Sequence, residues 1–458
     1  MLPGQTAFNT WAVAARRLHD AAFQCSMHSV WRQRRNFDRQ RTETILPESN
    51  CPRLSWSDGL SSSFVESTWY GAKLNDCLQA GRQIDGHGSG LSRHQLDVYR
   101  QHQISTDHEA TTIQQIQERI NEGFYVFLRE GTVERDLENT VGAVNESNAS
   151  RFAFCTDDKL VDSLLNEGGI NDCICKAIQH GLRPETAYTM ASFNAAQAHQ
   201  TPFIGALNPN YQADIVVLDD PYDVKVHQVI KKGHLISNHD FNTHPLSFAK
   251  NTMNFALSPA DLQLPLNSAT ANIIQVILNH IETEHLVEPV SIHNGNFCPD
   301  PSNDQLKMVV VERHHNTGKI GKAIVKGFNL THGAVASSIA HDSHNIIAVG
   351  TNDADLLAVI QHLQKVGGGI TVFANRHELA TLPLQIGGLM SNLSYKETAQ
   401  KLNAITAAYQ SISRPIAFNP FIALLFLALP VIPTLKLTAR GLYDFDQQKF
   451  IPIEASIN

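Results

Sequence analysis

Three short stretches combine side chains that bind divalent cations or move protons: Asp85-Gly86-His87, Asp107-His108-Glu109 and Thr156-Asp157-Asp158. A histidine after a glycine is more often a structural hydrogen-bonding residue, so the first stretch gains meaning only from the other two. In the second, an imidazole lies between two carboxylates. The alternative for Asp107 and Glu109 is a helix N-terminus, where acids complement the dipole. Adjacent acids after an apolar run, as in Asp157-Asp158, repel each other unless a cation offsets them or water solvates both. Brought together, His87, His108 and Asp157 offer two imidazoles and a carboxylate, the donor set of a hydrolytic site for Zn, Mn or Fe(II).

A further polar cluster, His341-Asp342-Ser343-His344, lies between apolar runs. Its two histidines would share a face on a helix and oppose each other on a strand, and the following Ile346-Ile347 predicts a strand. Metal binding, a hydrogen-bonded loop and an inter-domain contact all remain open there. Gly318-Lys319-Ile320-Gly321-Lys322 lacks the spacing of a phosphate-binding loop.

The elements that must position the first three stretches can be read from the pattern. Ile84, Ile104 and Arg151-Phe152-Ala153-Phe154-Cys155 end apolar runs just before the polar junctions, and Phe124 to Leu128 forms another strand. Helices are predicted over 71–82, 92–101, 112–122 and near 171–180, with Pro184 opening one more. Strand, polar junction, helix, at about thirty residues per unit, is the rhythm of a parallel α/β barrel, whose chemistry sits at the C-terminal ends of its strands. Ala213 to Leu218 reads as a buried strand, and 221–300 as polar connections around a few strands. From about Gln305 a second α/β unit is predicted: a strand at Met308–Val311, a helix at Leu356–Gln364, a tight turn at Gly367-Gly368-Gly369 and a strand at Ile370–Phe373.

Composition bounds the rest. The 458 residues carry a formal charge of −8, which argues against a nucleic-acid partner. The 7 cysteines are odd in number and irregularly spaced, the pattern of reduced thiols in a cytoplasmic protein. The most apolar stretch, Pro415 to Pro433, is broken by Asn419, Pro420 and Pro430, so no membrane span is expected. Residues 1–72 stand apart: they contain all 4 tryptophans, eight arginines and no lysine. Irregular structure is expected there, and the acid-poor first residues with Arg16-Arg17 hint at a transit peptide.

From about Lys73 onward the chain resembles the bacterial adenine deaminases of the amidohydrolase superfamily. The resemblance runs through IDGHGSGL (84–91), QISTDHEATT (103–112), FLREGTVERDL (127–137) and FAFCTDDKLVDSLLNEGG (152–169). It continues through GAVASSIAHDSHNIIAVGTND (333–353) and FLALPVIPTLKLTARGL (426–442), the more specific stretches. It implies hydrolysis of adenine to hypoxanthine and ammonia at a binuclear centre of Mn2+ or Fe2+, with Zn2+ as a further candidate, in a chain that forms homo-oligomers. It also implies metal-ligand roles for His87, His108 and Asp157, with Asp157 as proton shuttle. Glu109 would be the acid that protonates the purine, provided the chain turns to aim it inward.

The implied organisation is an atypical region at 1–72, the C-terminal half of a (β/α)8 barrel at 73–205, the remnant of a small β domain with connections at 206–300, and a C-terminal α/β domain at 301–458. The departures lie upstream. None of the 22 histidines forms a His-x-His pair, no match to the bridging glutamate is found, and Gly169 stands where the family carries a histidine. A truncated or frame-shifted N-terminal region accounts for these losses. The alternative to an active enzyme is therefore a catalytically inactive relic, or a non-catalytic partner subunit.

Overall fold

The structure, a computed structural model, describes residues 53–58, 68–237, 253–278, 280–341 and 343–455. The chain divides into two units, one of Met1–Lys159 with Asn166–His244 and one of Leu160–Leu165 with Pro245–Asn458.

The first unit is built on parallel strands. Strand β1 (Arg53–Asp58) runs parallel to β2 (Gln83–His87). A single bridge from Ile84 to Ile104 leads on to the parallel set β3 (Thr106–Asp107), β4 (Tyr125–Arg129) and β5 (Phe152–Cys155). Helices α1 (Thr68–Gln79), α2 (Arg93–Gln101), α3 (Ile113–Asn121) and the short α4 (Leu137–Thr140) alternate with them. The helix starts are written in the sequence: Ser92 and Gln95 form a reciprocal capping box on α2, and the Thr112 hydroxyl accepts from Gln115 on α3. Ile84, Leu96, Tyr99, Ile104, Ile116, Phe124, Val126, Leu128 and Phe152 form one buried core between strands and helices. Each contributes about 1.5–3 kcal/mol by leaving water.

After α5 (Val161–Asn166) and α6 (Ile170–Gln179), a helix opens at Pro184. It runs as α7 (Pro184–Thr189), widens to a π segment over Met190–Asn194 and closes as α8 (Ala195–Ala198). The widened turn brings the buried Asn194 amide onto the carbonyls of Ala149 and Phe152, at 2.8 and 2.9 Å. Strands β6 (Ile215–Asp220), β7 (Lys225–Lys231) and β8 (His234–Leu235) form an antiparallel meander. The expected burial of the first is corrected here, because Val216 and Val217 remain 38% and 39% exposed. An apolar run marks a strand without saying which face is covered.

The second unit holds an eight-stranded sheet in the order β10-β9-β14-β13-β16-β15-β17-β18. Its members are β9 (Thr270–Val276), β10 (Thr283–Pro289), β13 (Leu306–Val311), β14 (Ile320–Lys326), β15 (Ala334–Ser337), β16 (Ile346–Gly350), β17 (Gly369–Ala374) and β18 (His377–Pro383), while β11 (Ile292–His293) and β12 (Asn296–Phe297) form a separate small hairpin. All pairs are antiparallel except β9 with β14. On one face α9 (Asp353–Val366) packs Leu356, Val359, Ile360 and Leu363 against Val309, Ile346 and Ala348. On the other, α10 (Tyr395–Ile412) and α11 (Pro420–Phe426) pack with Met308, Val310 and Val335. Gly367 ends α9 in the left-handed region at φ 86°, a conformation that only glycine adopts without strain.

Strands β9 and β10 pair into this sheet and are among the few strands expected within 221–300; the second unit takes in Pro245–Asn458. The region 1–72 is not irregular throughout, since β1 gives the backbone of β2 a hydrogen-bonded neighbour and α1 begins at Thr68. The rest of 1–67, with the suspected transit segment, lies outside the described residues.

Candidate metal centre

Strand ends create the site. Gly86 is required by the close approach of β2 to β3, because a Cβ there would stand 2.4 Å from the Thr106 carbonyl oxygen. Asp107 turns away from the site. It pairs with the buried Arg119 and accepts the Gly88 N–H at 2.6 Å, while Arg119 also donates to the Gly88 carbonyl at 2.7 Å. That pair fixes the two loops that carry His87 and His108. The chain leaves β3 after Asp107, so His108 and Glu109 escape strand alternation and face the same point.

There His87 Nδ1 and His108 Nε2 lie 3.3 Å apart, and Glu109 Oε1 lies 3.3 Å from the first and 3.2 Å from the second. Among the described residues this is the one group of three metal-type donors that could share an ion. Three ligands at about 2.0–2.1 Å from a tetrahedral ion stand about 3.3 Å from one another, so the triangle has the edge lengths of a half-built coordination shell. The donors fit one divalent ion. A second would need ligands from beyond this group.

Asp157 was expected as the third ligand beside His87 and His108. In the structure Glu109 completes the triangle of donors, and Asp157 Oδ2 borders it at 3.7 Å from His108 Nε2. Asp157 is bound to Arg129, whose Nη1 lies 3.1 Å from its Oδ2 and 2.6 Å from Glu109 Oε1. The remaining guanidinium nitrogens contact Asp136 at 2.9 and 3.0 Å. Arg129, which the sequence reading did not single out, joins the carboxylates of the group. Its signal was its place, the last residue of β4, equivalent to the strand ends carrying the other site residues. Asp157 adopts φ 50°, the left-handed region, where a residue with a Cβ is strained. Such strain gathers at functional sites.

The electrostatics follow from burial and this one guanidinium. Burial pushes the Glu109 carboxyl up, but Arg129, His87 and His108 outweigh it and hold the group well below the usual carboxylate range. A carboxyl held in that direction suits a metal ligand. Burial holds His87 below the ordinary imidazole value, with Glu109 opposing and His108 reinforcing. For His108 burial also acts downward, yet the Glu109 hydrogen bond, Asp157 and the Glu109 charge carry it up to about 9.

The histidines of the second unit do something else. His341, Ser343 and His344 lie in a loop ahead of β16 and not on the predicted strand. The His341 and His344 ring centroids are 6.0 Å apart, and the His341 ring stacks on Phe426 at 5.0 Å. The loop backbone is tied down from β13's end: the His344 carbonyl accepts from Arg313 Nε at 2.5 Å and from His314 Nε2 at 3.2 Å. Asp342 lies outside the described residues.

Parallel strands whose ends gather imidazole and carboxylate define a class, and the sequence agrees: residues 71–236 match the Amidohydrolase family. Residues 280–449 match the Adenine deaminase C-terminal domain. The adenine deaminase of Lactiplantibacillus plantarum is 50% identical over 388 residues, covering 84% of this chain and 68% of that protein. Those of Listeria innocua and Geobacillus kaustophilus are 46% and 44% identical over 392 and 393 residues, each again covering 84% of this chain and 68% of the relative. The chain belongs to the adenine deaminase family.

Proposed function

We propose that this chain hydrolyses adenine to hypoxanthine and ammonia at a divalent metal held by His87, His108 and Glu109. The observation that carries this reading is the 3.2–3.3 Å triangle of donor atoms at the strand ends of a chain half identical to an adenine deaminase. A bound divalent ion supplies the Lewis acidity that makes water nucleophilic at neutral pH. The chain's residues do the rest. His87, His108 and Glu109 hold the ion. Asp157 accepts a proton from the attacking water and returns it to the departing amino group, so that a C6–O bond forms, the C6–N bond breaks and ammonia leaves. Arg129 orients Asp157 and Glu109 together. Mn2+ or Fe2+ is the metal favoured by family resemblance, and the two-imidazole, one-carboxylate set also suits Zn2+.

On this reading the parallel strands of the first unit are part of a (β/α)8 barrel, and β6–β8 are part of a small β domain. We place the protein in the cytoplasm. Among the described residues no helix is long and apolar enough to cross a membrane. A second reading, a catalytically inactive relic or a partner subunit, draws on one observation, the absence of any His-x-His pair from the sequence. Purified full-length chain supplemented with Mn2+ decides between them. Hypoxanthine and ammonia should form in equal amounts; a folded, metal-loaded sample without turnover refutes the enzyme in favour of the relic.

A further inference from the structure

Six charged side chains outside the metal triangle close into a ring of alternating sign. Arg135 Nη2 lies 2.7 Å from Glu167 Oε1, and Glu167 Oε2 lies 3.3 Å from Lys159 Nζ. Asp172 Oδ2 bridges Lys159 and Lys176 at 3.2 and 2.9 Å. Glu130 Oε1 meets Lys176 at 2.7 Å and Arg135 at 3.7 Å, which brings the circuit back to its start. Three cations meet three anions, so the ring is neutral as a whole. The Lys159 and Glu130 side chains are 1% and 4% exposed, while Arg135, at 40%, reaches water.

The ring favours the charged form of its members. Burial pulls Lys176 down, but its hydrogen bonds to Glu130 and Asp172 carry it above the ordinary lysine value. Burial pushes Glu167 up, yet Arg135 and Lys159 outweigh it and hold the carboxyl below the usual carboxylate range. Desolvated ion pairs add little net stability over apolar packing, so a closed ring of them is better understood by what it fixes in place.

Its members flank the Arg129–Asp157 contact. Glu130 follows Arg129 at the end of β4, and Lys159 stands two residues after Asp157. A backbone bridge joins Glu130 to Arg135 and closes the loop between them. The two junctions are also stitched together: the Glu130 N–H donates to the Cys155 carbonyl and the Thr132 N–H to the Asp158 carbonyl, both at 3.0 Å. Asp157 lies between these stitches at φ 50°, a backbone conformation that persists where the surroundings over-determine it.

We propose that the ring of Glu130, Arg135, Glu167, Lys159, Asp172 and Lys176 is a positioning device for the deamination, clamping the β4 and β5 junctions so that the Asp157 carboxylate stands where it takes and returns the proton. The task of Asp157 belongs to the proposed deamination, and the clamp rests on that reading. None of the six belongs to the metal triangle, and they act through Arg129 and Asp157.

Lys159→Met opens the ring at its most buried member and Arg135→Met at its most exposed, while Arg135→Lys keeps the charge. In full-length, Mn2+-supplemented protein, Lys159→Met should lower kcat for adenine about 10–100-fold, the effect of a misplacement on the order of 1 Å. KM should stay within about 2-fold, because the interaction lost is one used in the transition state. Bound Mn2+ should not change. Arg135→Met should move kcat in the same direction and Arg135→Lys should restore it, whereas a role confined to stability leaves kcat of the folded variants alone. Amide exchange needs no turnover: in Lys159→Met the Thr132 amide should exchange at least about 10-fold faster, with the β4–β5 ladder unchanged. A wild type without turnover ends the deaminase reading, and exchange at Thr132 alone then decides the clamp. Wild-type kcat in a folded ring-opened variant overturns the proposal, as does unchanged Thr132 exchange or a fall in kcat that only tracks lost metal. If Lys159→Met fails to fold, Arg135→Met decides by the same readouts.

Discussion

Arg129→Met offers the sharpest test of how the first unit's site is held. The guanidinium is 3% exposed and Glu109 is 1% exposed, so the pair is shielded from solvent and salt. Removing one partner of such a pair leaves an uncompensated buried charge, which costs about 3–5 kcal/mol. Glu109→Gln keeps the shape and some of the hydrogen bonding, and should cost less, about 1–3 kcal/mol. In the double variant no buried carboxylate is stranded at position 109, so the two losses should fall short of additivity by at least about 1 kcal/mol. Asp157 and Asp136 still lose their partner in the double variant, so recovery is incomplete. Urea unfolding followed by circular dichroism, in chelator, gives the totals. Amide exchange in β4 and β5 reports the first unit separately. A cost for Arg129→Met below about 1 kcal/mol, or additivity within about 0.5 kcal/mol, would refute the view that one guanidinium organises the site.

Three other outcomes are expected. His87→Ala and His108→Ala should each lose Mn2+ or Zn2+ binding in calorimetric titration with unchanged circular dichroism; retained stoichiometric binding removes that residue from the centre. Asp157→Asn should abolish hypoxanthine formation while leaving the fold and the metal in place, and sustained turnover would end its role as proton carrier. In the second unit, the fully buried Lys436 donates to the Ile281 carbonyl at 2.6 Å, and burial, opposed by Glu282, pulls it down to about 7. Between that value and the ordinary lysine range the unfolded chain binds the extra proton, so stability should rise with pH, by up to about 1.4 kcal/mol per pH unit. Lys436→Met should flatten that rise, and an unchanged slope assigns it to another group.

Much of this arrangement was legible in the residues, and the misses share a cause. Apolar spacing and apolar runs sufficed to place helices over 92–101 and 112–122 and strands before His87, His108 and Asp157, because those signals are local. Arg129 escaped because an arginine ending an apolar strand has many structural explanations, and its ion pairs with Glu109 and Asp157 come from other junctions. Glu109 joins the two histidines because the chain leaves β3 one residue earlier than alternation along a strand assumes. The exposure of Val216 and Val217 and the pairing of β9 into the second unit's sheet depend on neighbours far away in sequence, which periodicity cannot see.

The Asn194 amide has a consequence for what cannot join the first unit. Among the described residues β5 has a strand neighbour on one side only, the kind of edge that can recruit a foreign strand. Here Phe152, Ala153 and Phe154 are 0%, 1% and 7% exposed, and the Asn194 amide occupies the carbonyls of Ala149 and Phe152, so the edge is covered and an incoming strand is denied the backbone it would have to pair with.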